Sequence, residues 1–356
     1  MAGNELDWLE KMLRSGVVRA VSACREYDPG GVARSTERRN LCAKYSVDYR
    51  EYEDSLMLPI GSVCKPDGSA YLVYGPYARR WHEIFESREW FVAGNTLPKI
   101  QWLPSRQEDF PSRESLDIEQ FFESVRLDMP HNPDWTCYAD RRDRVDDPNG
   151  TTSLSVALRL GAVGPRECAI LAKKQSTTLL GELVWREFFT MLLSRFPASA
   201  HTEFREKYRG IAWSQDSEML DAWQEGKTGF PLVDAGMREL AATGHMHNRI
   251  RMLTANVATK LLRLDWRLGE RVFAEQLLDY DSAINLGNWQ WSAGTGADAA
   301  PYFRVFNPEV QRAKFDPLGE YVRKWLPENS PGSYPLPIVD YRRSRGEYLE
   351  WWKSQT

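Results

Sequence analysis

Residues 278–308 read LDYDSAINLGNWQWSAGTGADAAPYFRVFNP, a polar segment with several glycines that directly follows a helical pattern over residues 269–278. Two carboxylates, Asp279 and Asp281, stand at its start. A buried carboxylate needs a partner, and Arg251 on the preceding helical stretch is the predicted partner of Asp279. An Asp-x-Asp pair also suits a divalent cation. Metal binding is not favoured, however, because no third acidic ligand follows at loop spacing.

Around this segment, apolar residues recur with the helical period through most of the chain after Thr151. The predicted helices span about 165–174, 178–195, 218–225, 233–243, 247–264 and 269–278. The first 75 residues instead combine a helix over 4–15, a strand over 17–22 and a basic helix over 34–44. That mixture indicates an α/β layer with too few strands for a complete doubly wound domain.

We therefore expect an α+β protein in three parts. Residues 1–78 would form a truncated, Rossmann-like α/β part, and residues 79–135 a proline-rich linker with short helices, one of them over 117–127. Residues 136–356 would form a large all-α domain.

The composition limits the classes of function. The 356 residues are 42% hydrophobic, which is enough for a full core, and 46 Lys and Arg against 50 Asp and Glu give a net charge of -4. No apolar run approaches the roughly 18 residues of a membrane span, and any affinity for nucleic acid must come from a local basic patch. Five cysteines without CxxC spacing and no secretory signal pattern favour a cytoplasmic location. Fourteen tryptophans suggest stacking, aromatic packing or redox use.

Three short motifs suggest chemistry, but each has a structural alternative. Residues 149–155 read NGTTSLS, whose hydroxyls and free N–H groups suit a phosphate or make an ordinary helix N-cap turn. Glu182, Trp185 and Arg186 share one helical face, which suits recognition of a heterocycle or a buried ion pair covered by a tryptophan. In HNRIRM, residues 247–252, Asn248, Arg251 and Met252 share a face and Arg249 lies on another.

Taken in order, these motifs resemble those of the photolyase/cryptochrome family. The likeness runs from about residue 138 to residue 327 and includes WREFF, WQEGKTGFPLVDAGMREL, MHNRIRM, residues 278–308 and KFDPLGEYVRKWLP. The earlier stretches CREYDPGGVARSTERRN and LMLPIGSVCKPDGSAYLVYGPYARRW look like the end of the family's antenna domain. The chain is most similar to a short class I cyclobutane pyrimidine dimer photolyase that lacks the beginning of that domain.

The resemblance implies a U-shaped FAD in the helical domain, reduced in the active state, and no antenna chromophore. Matched positions that would hold the phosphates and adjacent parts of FAD are Tyr138, Thr151, Thr152, Leu154 and Ser155. Arg251 and Asp279 would pair beside the flavin, Asp281 would hydrogen-bond its ring and Asn285 would face N5. The chain departs from the family at Ser153, where many members have a basic residue, and at Val156-Ala157, where Pro-Tyr is frequent.

The resemblance further implies light-dependent repair of pyrimidine dimers in DNA by electron transfer from reduced FAD. The residues that would line the pocket for a flipped-out dimer are Glu182, Trp185, Asn248, Met252 and Trp291. The run HNRIRM matches the dimer-repair type, whereas 6-4 photoproduct enzymes have histidines in the pocket. Asn285 also matches the repair type, since plant cryptochromes usually have Asp at this position. The alternative function is that of a cryptochrome-like blue-light photoreceptor without repair.

Two further sets of residues follow from the same resemblance. Electrons would reach the flavin through Trp289, Trp266 and a surface tryptophan, Trp213, with Trp223 as another terminus. DNA phosphates would be contacted by Arg142, Arg249 and Arg304, with Arg312 and Lys314 as weaker candidates. We expect a monomer that binds lesions in duplex or single-stranded DNA regardless of sequence.

Overall fold

The N-terminal part of the chain forms a small β-α-β layer. The computed structural model describes residues 4–90, 129–130, 133–328 and 334–355. Its first elements are helix α1 (Glu5–Arg14), strand β1 (Ala20–Cys24), helix α2 (Pro29–Lys44) and strand β2 (Asp48–Tyr52). The two strands pair in parallel with Ala20 opposite Asp48, and α2 makes the crossover that a parallel pair requires.

Local capping sets the boundaries of these elements. The predicted helix over 4–15 is confirmed as α1, and the predicted strand over 17–22 lies slightly later, at β1. Helix α2 begins five residues before the predicted basic stretch. Asp28 accepts the backbone N–H of Gly31 at 2.9 Å, and Pro29 occupies the first helical position, where no N–H is needed.

Helix α3 (Tyr74–Glu86) crosses the predicted boundary between residues 78 and 79. The prolines suggested a linker here, but Pro76 lies in the first turn of the helix, where its missing N–H breaks no hydrogen bond. Tyr77, Trp81 and Phe85, spaced four residues apart, are buried. The α/β part and the linker therefore do not separate at that point. The helix expected over 117–127 lies outside the described residues.

The longer regular elements in the rest of the described chain are helices, as predicted for the third part. The helices are α4 (Tyr138–Arg141), α5 (Ser155–Leu160), α6 (Pro165–Gln175), α7 (Thr177–Arg195), α8 (Ser217–Gln224), α9 (Pro231–Thr243), α10 (Asn248–Asn256), α11 (Trp266–Gln276), α12 (Ser282–Ala293), α13 (Pro308–Phe315), α14 (Glu320–Trp325) and α15 (Tyr341–Gln355). The single helix predicted over 247–264 instead changes to a π turn at Val257–Leu261. No helix in the described ranges is long and apolar enough to cross a membrane.

Helix α7 is the centre of the molecule. It is apolar on nearly all sides and packs against α3, α6 and α12. Its one fully buried carboxylate, Glu187, accepts the backbone N–H groups of Met57 and Leu58 and the indole N–H of Trp81. Burial raises the pKa of Glu187 to about 7. Through these bonds α7 holds α3 and the segment before it against the helical core.

Candidate functional site

Side chains from α10, α11 and α12 and from the loop before α12 line a cavity of about 80 Å³. In its wall, an Nη of Arg251 lies 2.9 Å from Oδ2 of Asp279, as the sequence predicts. Burial acts to raise the pKa of Asp279. The charge of Arg251 and hydrogen bonds from Arg251 and Ser155 outweigh this effect and hold the pKa below its ordinary value. A fixed ion pair therefore borders the cavity.

Asp281 and Asn285 line the same cavity. Asp281 caps α12, because its Oδ1 accepts the N–H groups of Ala283 and Ile284 at 3.1 and 3.2 Å. The amide nitrogen of Asn285 donates to the backbone and side-chain oxygens of Glu270 at 3.2 and 3.0 Å. Within the described chain no donor reaches Oδ1 of Asn285, so this oxygen is left to accept a hydrogen bond from a ligand.

Two residues predicted for the substrate side also line this cavity. Asn248 and Met252 lie one turn apart on α10, with 3.9 Å between the amide nitrogen and the sulfur. Arg249 donates to Asp143, but its Nη1 also lies 3.6 Å from the sulfur of Met252, so the structure does not separate Arg249 from this face as the sequence predicts. The fold thus brings predicted flavin and substrate residues to one cavity.

A second, much larger cleft of about 1520 Å³ opens beside the segment between α4 and α5. Four of the residues predicted to hold FAD line it: Tyr138, Thr151, Thr152 and Ser155. Its volume exceeds the roughly 300–1,000 Å³ of ordinary ligand pockets, so a dinucleotide-sized cofactor has room. The fifth predicted residue, Leu154, is 2% exposed and packs in the core, which leaves only its backbone for a ligand.

The hydroxyl-rich turn does not serve as an ordinary N-cap. Helix α5 begins at Ser155, the N-cap position is Leu154, and no side chain caps the helix. Ser153 has a left-handed φ of 53°, a conformation that costs energy for a residue other than glycine. The turn therefore keeps its hydroxyls beside the cleft instead of using them to cap the helix, which favours the phosphate-binding interpretation.

His247 adds a donor that sequence reasoning did not select. Its Nδ1 accepts the N–H of Arg249 at 3.1 Å, and burial lowers the pKa of the imidazole to about 4, so the ring is neutral and Nε2 carries the proton. Nε2 is buried and His247 lines the large cleft, with the backbone of Arg142 as a hydrogen-bonding neighbour of the imidazole. The ring therefore adds a neutral polar group to the cleft beside the hydroxyls of the turn, and these groups together fit a phosphate-bearing cofactor such as FAD.

The charged groups beside α7 form a network of three ion pairs, Glu182–Arg142, Arg142–Asp143 and Asp143–Arg249. Glu182 accepts a hydrogen bond from Arg142, whereas Arg186 donates to the carbonyl of Ser55. The alternative of a Glu182–Arg186 ion pair is therefore wrong, because Arg186 turns toward the N-terminal part. Arg249 makes two hydrogen bonds to Asp143, at 2.7 and 2.8 Å. Both arginines that rank first as predicted DNA contacts are thus paired with carboxylates.

Trp185 is stacked on an aromatic ring from another part of the chain. The ring of Tyr74, at the start of α3, lies 3.5 Å from that of Trp185 with an interplanar angle of 5°. Tyr74 is held in place because its hydroxyl donates to the carbonyl of Gly181 at 2.9 Å and its N–H donates to Asp298 at 3.0 Å. This contact joins residues 111 positions apart, and no sequence pattern indicated it.

Trp291 belongs to the same aromatic region. It lines a small pocket with Phe189, whose ring lies 5.5 Å from that of Trp185. Helices α7 and α12 approach closely here, since a Cβ at Gly287 would lie 2.2 Å from the ring of Phe189. The guanidinium of Arg304 lies 6.0 Å from the ring of Trp291. The two predicted stacking residues are therefore linked through Phe189.

The tryptophans predicted to carry electrons are all buried. Trp289 is 2%, Trp266 0% and Trp213 8% exposed. The expected surface position of Trp213 is wrong, because Trp351 and Trp352 of α15 cover it, with ring centroids 5.3 and 6.2 Å away. Trp223, the other suggested terminus, is fully buried as well.

One carboxylate joins two of these tryptophans. Oε1 of Glu203 accepts the indole N–H of Trp213 at 3.1 Å and that of Trp266 at 3.3 Å. Trp289 lies against the helix that begins with Trp266, since a Cβ at Gly269 would be 2.1 Å from its ring. Glu203 precedes Trp213 by ten residues. No sequence pattern indicates that it joins Trp213 to Trp266.

Comparison with known proteins agrees with this geometry. Residues 179–331 match the family model described as the FAD binding domain of DNA photolyase, and residues 1–99 match the DNA photolyase model. The deoxyribodipyrimidine photo-lyase of Vibrio cholerae is 34% identical, over 94% of this chain and 79% of that protein. The enzyme of the same name from Escherichia coli is 37% identical, over 84% and 71%.

Among solved structures, a bacterial class III photolyase from Agrobacterium tumefaciens superimposes with a TM-score of 0.81 at 28% identity. The superposition covers 99% of this chain and 83% of that one. The chain belongs to the photolyase/cryptochrome family, and its helical part contains that family's FAD-binding domain.

Proposed function

We propose that this protein is a deoxyribodipyrimidine photo-lyase that uses light to repair cyclobutane pyrimidine dimers in DNA. The observation that carries the proposal is the cavity between α10 and α12, where Asn248 and Met252 meet Arg251, Asp279 and Asn285. A repair enzyme of this kind needs its electron donor and its lesion side by side. The curated relatives carry the name of this activity, which supports the assignment over that of a photoreceptor without repair.

FAD would bind with its phosphates near Thr151, Thr152 and Ser155, in the large cleft lined also by Tyr138 and His247. Bound and reduced, it supplies the electron that light drives into the dimer. The protein contributes position and charge. The Arg251–Asp279 pair fixes the wall of the cavity, Asp281 would hydrogen-bond the ring, and Oδ1 of Asn285 would accept a flavin N–H.

The dimer would leave the DNA stack and enter between aromatic side chains. Trp185 and Trp291 would offer ring faces, Met252 an adaptable apolar wall, and Glu182 and Asn248 hydrogen bonds to the carbonyl and imide groups of the bases. Negative charge on the transient dimer radical anion would be stabilised by a hydrogen bond from the amide N–H of Asn248. No acid–base pair is needed to break the cyclobutane ring.

DNA phosphates would bind at Arg142, Arg249 and Arg304. Because Glu182 and Asp143 already pair with the first two, DNA binding would exchange carboxylate partners for phosphate partners. We further propose a monomer in the reducing cytoplasm, which the five free thiols favour. The N-terminal β-α-β layer would belong to an antenna domain, and FAD would be the only chromophore.

The test is repair of an oligonucleotide with one thymine dimer by chemically reduced protein, in blue light and in darkness. Single-stranded and duplex substrates are compared in parallel. We expect loss of the dimer in light alone. As a matched control, Asn288→Ala removes an amide from the same cavity on the turn after Asn285, whereas Asn248→Ala removes the proposed lesion contact, and only the second should lower the repair yield. Full flavin content without repair in light would overturn the proposal.

A further inference from the structure

The innermost part of the tryptophan path is buried, and so is its expected outer end. Trp213 is 8% exposed, so it cannot readily exchange electrons with a reductant in solution. It packs against α15, in which Trp351 and Trp352 stand next to each other. Electron transfer through a protein falls steeply with the distance between rings, so the next carrier must be an oxidisable ring in contact with Trp213.

We propose that Trp351 is the solvent-facing terminus of the electron path that reduces the flavin. Its ring centroid is 5.3 Å from that of Trp213, nearer than that of Trp352 at 6.2 Å. Trp351 is only partly buried, whereas Trp352 is 1% exposed. Trp351 is therefore the ring that both contacts Trp213 and reaches solvent. This inference rests on the proposed function, because it concerns how the same flavin is kept reduced.

Tyr348, the neighbouring tyrosine, does not compete with Trp351 as the electron donor to Trp213. The ring of Tyr348 lies 5.9 Å from that of Trp351. A tyrosine that gives up an electron must also release its hydroxyl proton, and the hydroxyl of Tyr348 is buried without an acceptor within the described ranges. Burial also raises the pKa of this tyrosine far above its ordinary value. Oxidation is thus directed to the indole of Trp351.

Fixed charges also favour outward movement of the positive charge. The carboxylate of Glu203 pairs with Arg267 at 2.8 Å through Oε2, and its Oε1 accepts the indole N–H groups of Trp213 and Trp266, which favours a positive charge on either ring. The guanidinium of Arg267, however, lies 4.7 Å from the ring of Trp266 and opposes a positive charge there. The charge is therefore more stable on Trp213, one step nearer to Trp351.

With FAD bound and oxidised, light would draw one electron from Trp289 to the flavin. Trp266 would then reduce Trp289, Trp213 would reduce Trp266, and Trp351 would reduce Trp213. An external thiol gives one electron to Trp351 and releases one proton to water, and two of the resulting thiyl radicals join as a disulfide. Each absorbed photon thus moves one electron inward along the rings.

Three variants test the assignment: Trp351→Phe removes the oxidisable ring, Trp351→Tyr retains one, and Trp8→Phe alters an exposed tryptophan of α1 as the matched control. The measurements are the rate of flavin reduction in blue light with dithiothreitol and the lifetime of the tryptophan radical by transient absorption. For Trp351→Phe we expect a severalfold slower reduction and a shorter radical lifetime, because the charge stays on buried Trp213 and returns inward. Trp351→Tyr should recover part of the rate of flavin reduction. Trp8→Phe should reduce its flavin at the same rate as the unmodified protein.

Repair by chemically reduced Trp351→Phe should equal that of the unmodified protein, which also shows that the variant is folded. An unchanged rate of photoreduction in Trp351→Phe would overturn the proposal. A fourth variant, Trp213→Phe, tests the preceding step, and an unchanged rate in it would also overturn the proposal, because the path would then not pass through Trp213. Failure of the unmodified, chemically reduced protein to repair dimers would instead overturn the proposed function. The rate of photoreduction would still test the role of Trp351 independently.

Discussion

A guanidinium nitrogen of Arg142 donates a hydrogen bond to the carboxylate of Glu182, from a neighbouring segment onto the face of α7 that carries Trp185. A residue assigned to DNA phosphates and a residue assigned to the lesion are thus each other's partners in the free protein. Next to them, Asp143 pairs with Arg249 at 2.7 Å and with Arg142 at 3.6 Å. The positive charge available to DNA is therefore controlled by two carboxylates.

Asp143→Asn should strengthen binding to DNA. Loss of this carboxylate frees Arg249 for a phosphate and removes one of the two carboxylates paired with Arg142. The affinity for a dimer-containing oligonucleotide should therefore rise severalfold and depend more steeply on salt. Fluorescence anisotropy at several salt concentrations measures both effects. Asp140→Asn, which removes the same charge from an exposed position on α4, is the control. Equal gains in the two variants would show that only net charge matters.

Glu182→Gln should lower the repair yield without loss of FAD. The amide keeps the size of the side chain but removes the negative charge that holds Arg142 and that would bond to the lesion. We expect a severalfold fall in dimers repaired per photon absorbed, with an unchanged flavin spectrum. An unaltered yield would remove Glu182 from the lesion pocket, and loss of flavin would point to a structural role instead.

Tyr74→Ala should impair repair through Trp185. The stacked ring of Tyr74 fixes the plane of Trp185, and its removal leaves that indole free to rotate. Lesion affinity and repair yield should both fall. Tyr74→Phe keeps the ring and loses only the hydrogen bond to Gly181, so it should behave nearly as the unmodified protein. If the two variants are equally impaired, the hydroxyl and not the stacking is what matters.

The pH dependence of stability should reflect Glu187. Burial raises its pKa from 4.5 to about 7 in the folded state, so the folded protein binds this proton more tightly than the unfolded chain. Its stabilising contribution is complete below pH 4.5, declines as the pH rises, and is lost above pH 7. The shift corresponds to about 3 kcal/mol.

Denaturant unfolding of the protein and of Glu187→Gln across this range measures that contribution. The free energy of unfolding of the variant, relative to that of the unmodified protein, should rise with pH. Glu86→Gln, an exposed glutamate at the end of α3, should show no such trend. A difference that does not change with pH would mean that Glu187 is already ionised in the fold throughout.

Much of the molecule follows from local sequence. The helical period locates most helices of the third part, the β-branched and basic stretches locate the β-α-β layer, and the motifs from residue 138 onward identify the family. The Arg251–Asp279 pair follows from the sequence because a buried carboxylate requires a partner. Arg251, on the preceding helical stretch, is the cation predicted for that role. These features depend on interactions within a few turns, or on motifs long enough to be distinctive.

Other features were decided by packing between distant segments. The sequence predicts a linker at the start of α3, because Pro76 and its neighbours have loop propensities. In the structure, the segment is a helix whose side chains Tyr77, Trp81 and Phe85 are buried, and this burial of apolar surface stabilises it. The stacking of Tyr74 on Trp185 and the pairing of Arg142 with Glu182 likewise join residues far apart in sequence. Propensity does not record such contacts.

The sequence by itself determined the family, the helical part and the residues that gather at the cavity between α10 and α12. Only the tertiary structure decided that Trp213 is buried beneath Trp351, that Glu203 joins Trp213 to Trp266, and that the arginines meant for DNA are held by carboxylates. The physical reason is that exposure and charge pairing belong to surfaces brought together by folding, and these surfaces come from α15, α7 and α4, which no local pattern places side by side.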